Sequence, residues 1–385
     1  MNLILRLVDT AYEFWKLRTR WDHLLERCPS RNVFLTWEWL STWWEFYGDG
    51  KRLLIVTAER DGALAGIAPL YVSVTNVARL MSVRQLRFLG TEMVCPDLLD
   101  FIVAEEVEEV RAALVDYVLR DLRTEWDVAL LEDMSSSSQT VTTILDRVSG
   151  ELLPGRLEEG RSCPFLVLPA SWDELQMSLS RQFRKNIRNA RKRLEASGGL
   201  AFRRITGESS IDEGMDQFIQ LHQKRWQQKG LPGAFALSTF VAFHKQIASL
   251  FDKRGWLYLT LLELAGRPVA ARYGFIYGRV NYAYQGGFDP EYAEHQVGLA
   301  IQSYCIEDEI NQQLVEHNFL RGSNQVKLRW TSLARTSITV RFGKSDLRHM
   351  FVEADLMLDR RIKPFVMGFL PEWSVEGLRR MKQLR

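Results

Sequence analysis

The strongest constraint on the fold is a pattern that occurs twice along the chain. The stretches IVTAERDGALAGIAPLYVS (55–73) and LLELAGRPVAARYGFIY (261–277) share one order: an apolar run, a glycine turn, small residues, a second apolar run and an aromatic residue. Two apolar runs joined by a glycine-containing turn predict a β-hairpin. Its recurrence predicts two copies of one β-rich α/β unit.

Helical patterns and further strand-like runs accompany each hairpin. We expect helices at Thr36–Tyr47, about 105–124, 209–228, 238–252 and 296–317, and additional strands in RQLRFLG, DLLDFIV, DVALLED and at 318–320. Trp39 and Trp43 fall one turn apart in the first helix, which indicates a buried face. The expected fold is therefore α/β, with a mixed, mostly antiparallel sheet flanked by helices in each copy.

Composition suggests where the domains divide. The stretch ELLPGRLEEGRSCP (151–164) clusters glycine, proline and charge, and the periodic pattern stops after Phe342. A chain of 385 residues is long enough for two domains. We predict domains at 1–160 and 161–342, followed by a short helical tail at 343–385.

Charge and cysteine content narrow the class of protein. The net charge is only +2, so any anion site is local. Cys28, Cys95, Cys163 and Cys305 are scattered, which predicts no metal site and a reducing compartment. The N-terminus lacks a leader pattern and no run reaches the roughly 18 apolar residues that span a bilayer. These features predict a cytoplasmic protein without a transmembrane segment.

A basic amphipathic helix is predicted at RQFRKNIRNARKRL (181–194). Its apolar residues, Phe183, Ile187, Ala190 and Leu194, form one stripe, and Ser178 or Ser180 can cap its start. Arginine grips phosphate and carboxylate groups through two parallel hydrogen bonds. Arg184, Lys185 and Arg188 are therefore candidate anion contacts, with a solvated charged face as the equally open alternative.

Two further segments carry candidate ligand contacts. The predicted helix near Gly298 opens after a strand, so its first amides could hold a phosphate; close packing on the sheet is the alternative. The segment FLRGSNQVKLRW (319–330) carries Arg321, Lys327 and Trp330 and suits an anion or carbonyl contact as well as it suits a plain surface loop.

A single histidine stands out as a candidate proton carrier. His222 lies on the semi-apolar face of a predicted helix and could be a general base, or simply a core residue. The chain has no G-x-S-x-G, H-E-x-x-H or Walker motif. Transfer of an activated acyl group to an amine requires none of these motifs.

Several stretches together resemble a known family. They are FLTWEWLSTWWEFYG, SLSRQFRKNIRNARKRL, LHQKRW, YAYQGGFDPEY, VGLAIQ and FLRGSNQVKLRW. Their order resembles the CelD-like, cellulose-biosynthesis-associated branch of the GNAT N-acyltransferase superfamily, which is related to the FemAB transferases. The resemblance spans about 21–342. It implies two tandem GNAT-like domains, the first non-catalytic, and acyl-CoA as co-substrate, with acetyl-CoA the expected donor.

The resemblance also implies roles for individual residues. The expected phosphate loop is His295, Gln296, Val297, Gly298, Leu299 and Ala300. The expected catalytic residues are His222, Tyr284, Asp289 and Lys327, with Lys327 holding the acyl carbonyl and His222 or Asp289 relaying the proton. The expected substrate contacts are Arg184, Lys185, Arg188, Gln285, Arg321 and Trp330.

Three functions remain open on the sequence. The leading prediction is acyl transfer from acyl-CoA to an amino or hydroxyl group of a sugar, polysaccharide or cell-envelope precursor. The second is FemAB-like transfer from aminoacyl-tRNA, which the basic helix favours and the low net charge disfavours. The third is a non-catalytic accessory protein of polysaccharide synthesis.

Overall fold

The computed structural model describes residues 3–77, 81–104, 108–151, 153–322 and 324–344. They divide into two compact units. The first comprises described residues within 3–31, 43–160 and 338–344; the second comprises 32–42 and 161–337. Each unit therefore includes a short segment from beyond the predicted boundary at residue 160. The predicted tail, apart from Gly343 and Lys344, lies outside the described residues.

The first unit is built on an antiparallel meander. Its strands are β1 (Leu3–Val8), β2 (Arg52–Arg60), β3 (Ala63–Val77), β4 (Met81–Phe88), β5 (Ile102–Val103) and β6 (Val128–Ser135). Its helices are α1 (Ala11–Lys16), α2 (Arg18–Glu26), the end of α3 (Trp37–Tyr47), α4 (Glu108–Leu119) and α5 (Gln139–Gly150). β1 to β4 pair antiparallel in sequence order, β6 pairs parallel with β4, and β5 pairs with β3.

The second unit repeats this arrangement. Its strands are β7 (Gly155–Val167), β8 (Leu200–Ile205), β9 (Leu257–Leu264), β10 (Arg267–Tyr277), β11 (Val280–Phe288), β12 (Glu316–Asn318) and β13 (Ala334–Gly343). The boundaries between the two units, after residues 160 and 337, fall within β7 and β13, so each of these strands belongs partly to both units. Its helices are α6 (Trp172–Ser178), α7 (Arg181–Ala196), α8 (Glu208–Gln227), α9 (Ser238–Lys253), α10 (Val297–Asn311) and α11 (Gln325–Leu328).

The two units share one strand topology. β8 to β11 pair antiparallel in sequence order, and β12 pairs parallel with β11, as β6 does with β4. Helices lie between the first two strands of each antiparallel run, that is between β1 and β2 and between β8 and β9. A helix also precedes each parallel strand, α4 before β6 and α10 before β12. The predicted repeat of a mixed, mostly antiparallel sheet flanked by helices is confirmed.

The two predicted hairpin turns have the same backbone conformation. Asp61 and Gly62 have φ values of 51° and 83°, and Ala265 and Gly266 have values of 49° and 78°. Two successive left-handed residues match the twist of the flanking strands. Glycine at the second position adopts this conformation without a Cβ clash, which is why both turns could be predicted from local sequence.

The aromatic face of α3 is buried, as predicted. Thr36 Oγ1 accepts from the Trp39 amide at 3.4 Å, and the side chains of Trp39 and Trp43 are fully buried. Trp39, in the second unit, packs edge-on against Phe243 and Phe275 at centroid distances of 5.2 and 5.6 Å. Aromatic contacts of this kind stabilise a core beyond the area that they bury.

Three predicted elements differ from the structure. The helix predicted to reach residue 317 ends at Asn311, because Gln313 adopts a left-handed conformation with φ of 58°. The following strand therefore covers Glu316–Asn318 instead of 318–320. The strand predicted in DLLDFIV is reduced to Ile102–Val103, after a left-handed Leu98. The first difference places His317 on a strand that faces α10.

Candidate active site

Two strands of the second unit diverge and leave a cavity. β11 runs from Val280 to Phe288, but it pairs with β12 only through Val280, Asn281 and Tyr282. The register with β10 shifts between Tyr273 and Phe275, so β11 carries one extra residue just beyond its last pair with β12. Such a bulge bends and twists a strand. About 220 Å³ of space not filled by protein atoms, part of it open solvent, lies at the divergence.

The cavity has a polar lining. Its polar side chains include Arg272 from β10, Asn281 and Gln285 from β11, Gln302 and Cys305 from α10, and His317 from β12. No Asp or Glu side chain is part of the lining. Burial raises the pKa of Cys305 to about 12, so its thiol is protonated at neutral pH and is not a nucleophile.

A buried network holds the cavity histidine in place. His317 Nδ1 lies 2.7 Å from Glu309 Oε2, and Asn281 Nδ2 donates to the other Glu309 oxygen. His317 Nε2 lies 3.0 Å from Gln302 Nε2. His317, Glu309 and Gln302 are all at least 95% buried. Both oxygens of Glu309 are therefore occupied by donors within the protein.

The partners of His317 fix its tautomer. The Gln302 amide nitrogen can only donate, so His317 Nε2 accepts and the ring proton is on Nδ1, pointing at Glu309. A carboxylate on Nδ1 orients an imidazole and stabilises its protonated form. The pair thus has the parts of a general base whose basic nitrogen faces the cavity.

Arg272 supplies the positive charge of the cavity wall. Its side chain is largely buried, and Nη2 donates only one long hydrogen bond, 3.3 Å to the Gly298 carbonyl. Among the described residues, no carboxylate lies within ion-pair distance of it. Burial lowers the pKa of Arg272 to about 10. A Cβ on Gly286 would lie 2.9 Å from Nη1, so the glycine makes room for the guanidinium.

The start of α10 offers two unpaired amides. Gln296 has a left-handed φ of 55°, and its carbonyl accepts from the Leu299 and Ala300 amides at 2.9 and 3.1 Å. The amides of Val297 and Gly298 have no acceptor among the described residues. Gly298 is partly exposed, with the Phe288 ring in ordinary contact at 3.6 Å. Val297 is fully buried, so of these two amides only that of the partly exposed Gly298 is open to a phosphate, in place of a cradle of six residues.

The structure buries the predicted base His222 away from solvent. Trp226 Nε1 donates to its Nε2 at 2.9 Å, and Nδ1 lies 3.2 Å from Gln223 Oε1. Burial lowers the pKa of His222 to about 4, so the ring is neutral at pH 7. His222 is neutral at pH 7 and does not line the described cavity, and it is therefore not retained as the proton carrier.

The predicted catalytic residues of β11 and its following loop have structural partners. Asp289 caps the loop by accepting from the Glu291 amide, and Lys224 and Arg267 each donate to it at 2.9 Å. Burial raises the pKa of Asp289, but the hydrogen bond from Lys224 and the other donors outweigh it and hold the pKa below its usual range. Tyr284 packs against the His244 ring at 4.9 Å. Neither residue lines the cavity.

The predicted carbonyl holder Lys327 ties its own loop together. Its Nζ donates to the carbonyls of Leu320 and Arg321 at 3.1 and 2.8 Å. Trp330 is buried edge-on against Phe183 at 4.9 Å. The geometry favours a structural role for Lys327 over a contact with an acyl group.

The predicted anion contacts on α7 separate into two kinds. Arg184 Nη1 donates to the Gln176 and Met177 carbonyls at 3.1 and 3.4 Å, while Lys185 and Arg188 are exposed. The predicted stripe of Phe183, Ile187, Ala190 and Leu194 is buried, and Ser180 caps the helix.

Of all the predicted substrate and catalytic side chains, Gln285 alone lines the described cavity.

Sequence reasoning missed the residues that the cavity brings together. These are Arg272, Asn281, Gln302, Glu309 and His317. Two signals were present in the sequence. Gln302 and Glu309 lie seven residues apart and hence on one face of a helix, and Arg272 interrupts a strand of small and aromatic residues.

A family model matches most of the second unit. Residues 181–328 match the family model described as an acetyltransferase (GNAT) domain, a range that includes β8 to β12 and α7 to α10. The GNAT part of the expected resemblance is thereby confirmed for this range. No curated protein matches the chain.

Solved structures with the same fold cover most of the chain. FemX has 13% identity and a TM-score of 0.61, covering 92% of this chain and 100% of that one. L-PGS from Bacillus licheniformis has 12% identity and a TM-score of 0.53, covering 88% and 95%. The C-terminal domain of a putative lysylphosphatidylglycerol synthetase from Agrobacterium fabrum has 9% identity and a TM-score of 0.53, covering 91% and 97%. At these identities the likeness shows the fold.

Two features are absent from the described residues, a cluster of metal-binding side chains and a membrane-spanning helix. No group of three or more His, Cys, Asp or Glu side chains in the described ranges could hold a metal ion. In the same ranges, no helix is both long enough and apolar enough to cross a bilayer.

Proposed function

We propose that the second unit transfers an acyl group from acyl-CoA to an amino group, or a hydroxyl group, of a sugar, polysaccharide or cell-envelope precursor. The observation that carries this proposal is the polar cavity at the divergence of β11 and β12. Its wall residue Arg272 donates to Gly298 at the start of α10, where two backbone amides are unpaired. The GNAT domain model covers all of these elements.

The start of α10 is the proposed contact for the phosphates of the donor. Unpaired amides at a helix N-terminus, together with the helix dipole, favour a bound phosphate. α10 is 15 residues long, and Gly298 is partly exposed at its first turn. The thioester arm of the donor would then reach the cavity.

The cavity network suits attack of an amine on a thioester. The amine nitrogen attacks the carbonyl carbon, a C–N bond forms and the C–S bond breaks. In this proposal His317 Nε2 takes the amine proton once the Gln302 amide turns aside, and returns it to the departing thiolate. Glu309 stabilises the imidazolium, and backbone amides of β11 beyond Tyr282, where pairing with β12 has ended, are positioned to receive the oxyanion.

The acceptor class rests on the sequence resemblance to the CelD-like branch. No contact in the cavity selects a sugar over another amine. A panel of acyl-CoA thioesters, assayed by thiol release with glucosamine and simple amines as acceptors, tests the class directly.

Donor binding is the first test of the proposal. Gly298→Glu places a carboxylate at the proposed phosphate contact, and we expect it to abolish CoA binding in calorimetry. The matched control is Gly298→Gln, which adds similar volume without the charge. Acidic residues are favourable in the first turn of a helix, so the Glu variant is expected to fold. A wild-type protein without CoA affinity would overturn the proposal.

One observation favours a second candidate, transfer from aminoacyl-tRNA. Arg181, Lys185, Arg188 and Lys192 are all exposed and follow one another at helical spacing along α7. Basic stripes bind nucleic-acid phosphates in a salt-dependent manner. A gel shift with tRNA at two salt concentrations separates the two candidates, because tight, salt-sensitive binding together with no CoA affinity would favour the second.

A further inference from the structure

We infer that a small carboxylate group of one reactant binds against Arg272 inside the cavity. The carboxylate comes either from the far end of a dicarboxylic acyl donor or from an acidic acceptor such as an amino acid. The inference rests on the proposed function, because it names the chemistry of a reactant at the same site. Three observations carry it.

The first observation is that Arg272 is positively charged but unpaired. A largely buried guanidinium normally has a carboxylate partner, since desolvating an unpaired charge is unfavourable. Among the described residues, its side chain makes a single 3.3 Å hydrogen bond, to a carbonyl, although the group offers five N–H donors. Its remaining donors are available to a ligand in the cavity.

The second observation is that the nearest acidic residue is already occupied. Glu309 lies behind the cavity wall, and its two oxygens accept from His317 Nδ1 and Asn281 Nδ2. It influences Arg272 only at a distance, and the two groups form no ion pair. The charge of the cavity wall is therefore that of the arginine.

The third observation is the shape and chemistry around Arg272. The absence of a side chain at Gly286 makes room for the Arg272 guanidinium itself, and the amide side chains of Gln285 and Gln302 also line the cavity. Planar guanidinium and carboxylate groups form two parallel hydrogen bonds, and side-chain amides can complete the set of donors. The cavity is far smaller than a coenzyme, so only a small terminal group of a reactant could enter it.

The first arm of the test compares two donors of equal length in the full chain. Succinyl-CoA and butyryl-CoA both carry four-carbon acyl groups and differ at the end, where one has a carboxylate and the other a methyl group. We expect succinyl-CoA to bind about tenfold to a hundredfold more tightly by calorimetry, as a charged hydrogen-bonded pair allows. Arg272→Met should remove this preference, and Arg272→Lys should retain part of it.

The second arm tests the acceptor as the source of the carboxylate. L-Alanine and L-alaninamide differ in charge at the same position, and their KM values are compared with butyryl-CoA as donor. A lower KM for alanine that is lost in Arg272→Met supports an acidic acceptor. Equal binding of both donors and equal KM values for both acceptors would overturn the inference.

A third probe separates this inference from the proposed function. Free succinate is titrated into the wild-type protein and Arg272→Met. Succinate binding that depends on Arg272, in a protein that binds no CoA thioester, would support the carboxylate site and refute the proposed donor. Succinate binding that is unchanged in Arg272→Met would count against the site, whatever the donor.

Discussion

The two units share a strand order but differ in the residue at the middle of one equivalent strand, β3 in the first unit and β10 in the second. Six residues after the turn glycine, the first unit has Ala68, fully buried, and the second has Arg272. The first unit also contains a largely buried arginine, Arg87 on β4, but this one pairs with Glu92 at 2.9 Å and with Glu132. Burial lowers the pKa of Arg87, yet the two carboxylates outweigh it and hold the pKa above its usual value.

The difference separates an arginine with two carboxylate partners from one that we infer to bind a ligand. A buried cation with carboxylate partners contributes to the fold, whereas an unpaired one is retained at the expense of stability and indicates a ligand. The polar cavity, the Glu309–His317 pair and the unpaired amides of α10 all occur in the second unit. The first unit keeps the topology, and the predicted lack of catalysis there stays a prediction.

The largest expected effect is on turnover in the second unit. His317→Gln removes the proposed base while keeping a polar side chain, and we expect the rate of thiol release to fall about 100-fold to 1,000-fold. The matched control is His23→Gln, an exposed histidine of the first unit, which should leave the rate unchanged. Full turnover in His317→Gln, with an unchanged circular dichroism spectrum, would remove this residue from the mechanism.

Acid should affect the two units in opposite directions. The pKa of buried His222 is lowered from 6.5 to about 4, so the unfolded state binds its proton first and stability falls as pH drops from about 6.5 towards 4. At pH 5 the loss is about 2 kcal/mol relative to pH 7. Burial raises the pKa of Asp100 in the first unit, so the folded state binds that proton first and this group adds stability as pH falls.

Hydrogen exchange resolved by residue at pH 7 and pH 5 measures this difference. Amides of β9 and β10 should lose protection at pH 5 relative to amides of β2 and β3. Replacing His222 by Gln should flatten the pH dependence of the second unit. Equal acid sensitivity in both units would contradict the expected signs.

The smallest expected effect is the change in the free energy of unfolding when Arg87 or Arg272 is replaced by Met. Arg87→Met leaves Glu92 and Glu132 without their partner, and because both carboxylates are about one-third exposed we expect a loss of about 1 to 2 kcal/mol. Arg272→Met removes an unpaired charge and should be neutral or slightly stabilising. Urea unfolding of both variants measures this, and a large loss in Arg272→Met would indicate a partner role within the fold.

Local patterns predicted much of the fold. The two hairpins follow from glycine turns whose conformation is set by two residues, and the buried stripe of α7 follows from helical spacing with a serine cap. The same local rules placed the start of α10 near Gly298. These features depend on neighbours in sequence, and a single chain therefore reveals them.

The site depended on contacts that local patterns do not contain. The left-handed conformation of Gln313 ends α10 early, and this turns His317 from a helical residue into a strand residue facing Glu309. His222 resembled a base by residue type, but Trp226 and Gln223 occupy both of its nitrogens. Which polar group is occupied and which is unpaired is decided by tertiary packing.

The membership of residues 32–42 in the second unit has a practical consequence. A gene fragment that starts after residue 160 would encode that unit without Phe34 and Trp39, whose rings pack against Tyr282 and Phe275. In the truncated product the aromatic surface that these rings cover would be exposed to water, and we expect the product to aggregate. Adding residues 32–42 back as a separate synthetic peptide should recover a soluble fragment and would provide a split form of the second unit.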